Sequence, residues 1–251
     1  MSKGLLDPKV DFVFKNIFGS PNHPEILISF LNATLKAKKK IVNVDIKKTD
    51  IEKQYIEDKY SRLDVKATTS NDEIINIEIQ LKNENNMVKR SLYYLSKMYE
   101  EQLNEKEDYS KLVRTVCINI LNFKYLKTDN FHTGYRFKEI ESNEELTDIM
   151  EVHFIEIPKL QDSSDEKDML VAWTEFLKDP ESEKVRGLEL SIEEIRQAKD
   201  ELIRMSNDST QRELYDMRAN SLRDKMSELN AAEKKGIEKG REEGRKEEKI
   251  K

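Results

Sequence analysis

The chain has 251 residues, enough for one large domain or a domain with an appendage, and 37% hydrophobic residues provide a core beneath a surface rich in charge. A net charge of −6 argues against a protein that coats nucleic acid, but not against an enzyme that meets it through a local patch. No apolar run approaches the roughly 20 residues of a membrane span, and the N-terminal MSKGLLDPKV lacks the apolar stretch of a signal peptide.

Two short helices are expected within residues 11–35. Val10, Phe14, Ile17 and Phe18 fall on one stripe, with Gly19 as its stop. The chain resumes at Pro24 and turns Leu27, Phe30, Leu31 and Leu35 inward. The basic run KAKKK at 36–40 either complements a helix C-terminus or contacts phosphate. IVNVDI at 41–46 reads as a strand.

RLDVKATTSNDEIINIEIQLK, residues 62–82, reads as a hairpin turning at Ser70, Asn71 and Asp72. Leu63, Val65 and Ala67 share one face with Ile75, Ile77, Ile79 and Leu81. The other face holds Arg62, Asp64, Lys66, Asn76, Glu78 and Gln80. Coincident apolar faces and a three-residue loop pair Thr69 with Glu73, Lys66 with Asn76, Arg62 with Gln80 and Asp64 with Glu78. A register slipped by two residues keeps both carboxylates on that face.

Residues 86–103 are expected to be helical, with Val88, Leu92, Leu95 and Tyr99 inward and Arg90, Tyr94 and Lys97 on another face. LVRTVCINILNF, 112–123, is apolar enough for the centre of a sheet. Its Cys117, the single cysteine, reads as a buried thiol in a reducing, cytoplasmic setting. EVHFIEIP, 151–158, is a further strand, ended by Pro158. His23, His132 and His153 are scattered and compose no zinc site with one cysteine.

Composition changes near residue 162. The expected division is a core at 1–162, a helical region at 163–230 and a charged tail at 231–251. Met169, Ala172, Trp173, Phe176 and Leu177 make one helix face, and Ser191 with Glu194 forms a capping-box pattern before a helix to about Met205. Tyr215, Ala219, Leu222, Met226 and Leu229 form a heptad-like seam suited to a helix pair or a homodimer. Gly236, Gly240 and Gly244 recur among charges, which predicts a frayed, solvated extension.

Two carboxylates opposed on a sheet repel by about 0.2–1 kcal/mol. A hard divalent cation removes that repulsion and takes carboxylate oxygens as ligands. The alternative is an ordinary wet, polar sheet face. Asp64 followed by Glu78-Ile79-Gln80 on the next strand resembles the PD-(D/E)XK nuclease core. LLDPKVDFVFKNIFG, RLDVKA, NIEIQLKNENNMVKRSLYYLSKMYEEQL and EVHFIEIPKL, in this order, resemble the Rpn-type recombination-promoting nucleases, labelled PD-(D/E)XK nuclease-family transposases. The resemblance covers about residues 4–160 and suits the Glu/Lys/Gly-rich tail.

The resemblance implies an α/β restriction-endonuclease-like core, a mixed central sheet flanked by helices, with a C-terminal helical appendage. It also implies Mg²⁺- or Mn²⁺-dependent hydrolysis of DNA phosphodiesters. Asp64 and Glu78 would bind the metal, with the Ile79 carbonyl as a further ligand, and Asp11 would support them from the first helix. Gln80 stands where the general motif has lysine. An amide orients water but brings no charge, and Lys82 or Lys66, on the same face, would supply it. Arg90, Tyr94 and Lys97 suit phosphate contact and base stacking. The rival reading is a decayed nuclease fold that binds DNA or protein without cutting.

Overall fold

The computed structural model describes residues 4–36, 39–47, 64–165 and 167–248. A six-stranded mixed sheet runs through the molecule: β1 (Val44–Lys47), β2 (Val65–Thr69), β3 (Ile74–Gln80), β4 (Thr115–Leu121), β5 (His132–Lys138) and β6 (Glu145–Glu156). The order is β1-β2-β3-β4-β6-β5. β3, β4 and β6 are parallel, while β1–β2, β2–β3 and β5–β6 are antiparallel. The expected α/β class, a mixed sheet flanked by helices, is the one observed.

The helices are α1 (Asp11–Phe18), α2 (Pro24–Leu35), α3 (Met87–Glu100), α4 (Met169–Lys178), α5 (Glu183–Glu189), α6 (Glu193–Asn207) and α7 (Ser209–Glu248). α1 stops at Gly19, where an added Cβ would lie 2.6 Å from the Lys15 carbonyl oxygen. α1, α2 and α4 to α6 cover one sheet face, burying Ile75, Ile77, Ile79, Val116, Ile118, Ile120 and Ile155. α3 covers the other, packing Met87, Tyr94, Leu95 and Met98 on Cys117, Leu121, Val152 and Phe154. β4 is therefore buried at every residue, as its apolar sequence requires.

The hairpin register is the expected one, with Val65 opposite Ile77 and Lys66 opposite Asn76. Asp72 takes a left-handed conformation (φ 61°) in the turn, and the Thr69 amide donates to the Glu73 carbonyl at 2.9 Å. Arg62 and Leu63 lie outside the described residues. The polar face is dry at its centre, while Lys66 and Gln80 stay partly exposed. Asn76 and Glu78 are each 1% exposed because α3 lies over them.

Four expectations are corrected. α3 is rotated from its expected orientation: Val88 and Leu92 are 41% and 48% exposed, whereas Ser91 and Tyr94 are buried. β6 begins six residues before the expected strand and pairs with β5, for which no strand was expected. Ile192, not Ser191, is the N-cap of α6, and the Ser191 hydroxyl donates back to the Leu188 carbonyl. The glycine-spaced tail is helical, and α7 continues to Glu248 with Gly236 and Gly240 exposed.

The composition change near 162 marks a change of layer, not a gap in the core. Trp173 has no exposed surface, lies 5.3 Å from the Phe18 ring and donates its indole N–H to the Ser29 hydroxyl at 3.1 Å. Leu202 and Met205 of α6 share the cluster. The first half of α7 folds back onto it: Ala219 is buried, and Tyr215 and Leu222 pack against the core. The side chains of Met226 and Leu229 lie outside the described residues.

Removing the indole leaves a void at the junction of α1, α2 and α4. Trp173→Ala is expected to lower stability by about 3–5 kcal/mol in urea denaturation. A loss below about 1 kcal/mol would mean that this junction is not part of the cooperative core.

Candidate active site

Glu78 sits in the middle of the sheet on the α3 face, beside Asn119 of β4. α3 is locked over it by polar contacts. The Ser91 hydroxyl donates to Asn119 Oδ1 at 2.8 Å, and the Asn119 amide donates to the His153 carbonyl at 3.1 Å. Arg90 reaches down from α3, and its Nε donates to Glu78 Oε2 at 3.2 Å. The Tyr94 ring supports the guanidinium, whose carbon lies 5.3 Å from the ring centroid. Glu78 Oε1 is buried without a hydrogen-bond partner. An unpartnered buried acceptor costs about 1–3 kcal/mol.

Asp64 lies just before β2, on the same face as Glu78 by the observed register. Its Oδ2 accepts the Ile79 amide at 2.7 Å, which ties the carboxylate to the next strand. An extended residue directs its N–H and C=O to the same edge. The Ile79 carbonyl therefore lies on the Asp64 side.

Burial pushes the Asp64 carboxyl up to about 7; the Ile79 amide opposes the rise, Glu78 and Asp11 reinforce it, and Arg90 opposes it. Burial also raises Glu78, against the opposing Arg90 charge and the hydrogen bond from Asn76. The two carboxylates thus resist being charged together, and one offers an unused oxygen. That donor set suits a divalent cation. Among the described residues no group of three His, Cys, Asp or Glu could hold a metal. Mg²⁺ is commonly held by one or two carboxylates completed by water and substrate phosphate, so Asp64 and Glu78 fit it.

Asp11 begins α1 and meets Arg218 of α7 at 3.5 Å. Gln80 ends β3, half-buried. Lys66 Nζ is 4.0 Å from Glu101, and Lys82 Nζ donates to Asn230 of α7 at 3.1 Å. α7 thus touches both Asp11 and Lys82. Lys97 remains on the outer side of α3, where Glu100 and Glu101 raise its pKa. Tyr94, expected to face nucleic acid, is 4% exposed and shares a cluster with Cys117 and Phe154. Arg90 is likewise turned toward Glu78 and not displayed outward.

The structure also joins residues that the sequence left scattered. His132 Nε2 and His153 Nδ1 are 2.9 Å apart, and His153 Nε2 is 2.6 Å from Glu151 Oε1. Glu151 also binds Arg114 and Arg136. Unrecognised pairing of β5 with β6 concealed this cluster.

The raised Asp64 pKa has a defined sign for stability. Between the ordinary 3.8 and about 7, the folded metal-free protein keeps a proton that the unfolded chain releases. This stabilisation is full below the lower value and is lost as pH rises through the upper one. In EDTA, the melting temperature is expected to fall between about pH 5 and about pH 8, and to fall less in Asp64→Asn. Equal slopes in the two proteins would place the proton elsewhere.

No curated protein and no solved structure matches the chain. One family model matches residues 8–232, which include every candidate residue of the site and extend into α7. With the sheet, the paired carboxylates and this match in hand, the chain belongs to the PD-(D/E)XK nuclease family transposases.

Proposed function

We propose that the protein is a metal-dependent endonuclease that hydrolyses DNA phosphodiester bonds in a recombination-promoting role. The observation that supports this best is the unpartnered Oε1 of Glu78 beside the raised carboxyl of Asp64. A Mg²⁺ or Mn²⁺ ion held there would activate a water and stabilise charge on the phosphate. Asp64 and Glu78 would hold the cation, and the Ile79 carbonyl would join them. The Asp64–Ile79 bond keeps the first carboxylate from swinging away. Gln80 orients water through its amide, and Asp11 adds negative charge from α1. Lys97 is the remaining phosphate contact on the outer side of α3.

The long α7 provides for self-association, and residues 230–232 and 234–241 of its second half, which are exposed, are the proposed homodimer surface. A second reading is supported by the glutamine at position 80 and the net charge of −6. On that reading the fold binds DNA or a protein partner without cutting.

Cleavage of supercoiled plasmid separates the two readings. Wild-type protein is expected to nick DNA with Mg²⁺ and not with EDTA. Asp64→Ala and Glu78→Gln are each expected to lower the rate by at least about a hundredfold while circular dichroism stays native. Normal cleavage by either variant would remove these carboxylates from the chemistry, and an inert wild type would favour the binding module.

A further inference from the structure

Gln80 leaves the hydrolytic site without the lysine charge of the general motif. Arg90 of α3 is the cation that the structure brings to Glu78, at 3.2 Å. Its charge also acts on Asp64. Its guanidinium is held by two contacts, the Glu78 carboxylate at Nε and the Tyr94 ring 5.3 Å from the central carbon. Nε is the donor committed to Glu78, a guanidinium carries four more N–H donors, and the side chain keeps 22% exposure. Arg90 takes Oε2 and leaves the buried Oε1 without a hydrogen-bond partner.

We infer that Arg90 replaces the charge of the missing lysine: it pairs with Oε2 of Glu78 and supplies permanent positive charge to the reacting phosphate. This inference rests on the proposed hydrolysis at Asp64 and Glu78. It relocates the charge from the strand, where the motif has lysine, to the helix that covers the strand. The geometry explains how a site with glutamine at position 80 keeps its electrostatics. Arginine remains charged at any working pH, so the replacement donates hydrogen bonds and charge but does not act as a base.

A fixed positive charge beside a cation site has two opposite effects. It repels the cation and stabilises the transition state. Arg90→Gln is therefore expected to bind Mn²⁺ about tenfold more tightly by isothermal titration calorimetry without DNA. The same variant should lower kcat about tenfold to a hundredfold, with DNA affinity in Ca²⁺ changed by less than about threefold. Arg90→Lys should lie between wild type and Arg90→Gln in both, and Gln80→Lys in the Arg90→Gln background should restore part of kcat.

Weaker or unchanged Mn²⁺ binding in Arg90→Gln would overturn the inference, as would a change in KM with kcat intact, which would make Arg90 a docking contact. A wild type that binds Mn²⁺ but cuts nothing defeats the nuclease reading alone; tighter binding in Arg90→Gln would then still place the charge. A wild type that binds no Mn²⁺ defeats both.

Discussion

The burial of one carboxylate organises this molecule. Glu78 is 1% exposed in the middle of a sheet covered on both faces. A buried charge requires a partner or a shifted pKa, and here it has both. Arg90 satisfies part of the carboxylate, and burial raises its pKa. One oxygen remains without a protein partner. The position of α3, the rotation of that helix and the chemistry available at the sheet all follow from how Glu78 is accommodated.

The surrounding fold holds that arrangement rigid. Three parallel strands, apolar on the face toward α1 and α2 and with Cys117, Leu121, Val152 and Phe154 on the other, form a central unit that cannot shift without opening two clusters. The antiparallel hairpin adds Asp64 at its fixed register, and the Ile79 amide anchors it. The C-terminal helices are part of this frame. Trp173 and Leu202 fill the same cluster as Phe14 and Phe18. α7 then passes from Asp11 to Lys82, joining two segments that flank the carboxylates.

The rotation of α3 shows where periodicity reaches its limit. The segment offers two plausible inward faces, and the more apolar one contains Val88 and Leu92. The sheet beneath has a polar strip, with Asn76, Glu78 and Asn119 side by side. A helix that turned only apolar residues onto that strip would leave those groups unsatisfied. α3 therefore presents Arg90 and Ser91 to the strip and places Tyr94, Leu95 and Met98 around it. Hydrogen bonding outweighs the burial of Val88 and Leu92, whose side chains stay at the surface.

The sequence by itself determined the local elements and the hairpin. α1, α2, β4 and the pairing of β2 with β3 follow from alternation, helical stripes and turn residues, because those signals act between near neighbours. It also placed Asp64 and Glu78 on one face, since strand parity leaves no other choice. Only the tertiary structure decided that Glu78 and Asn76 on this face are dry, that Arg90 of another element meets Glu78, that Tyr94 is core, and that the C-terminal helices share the central cluster. Such facts depend on which surface covers which, and that is set by long-range packing and hydrogen-bond satisfaction rather than by spacing along the chain.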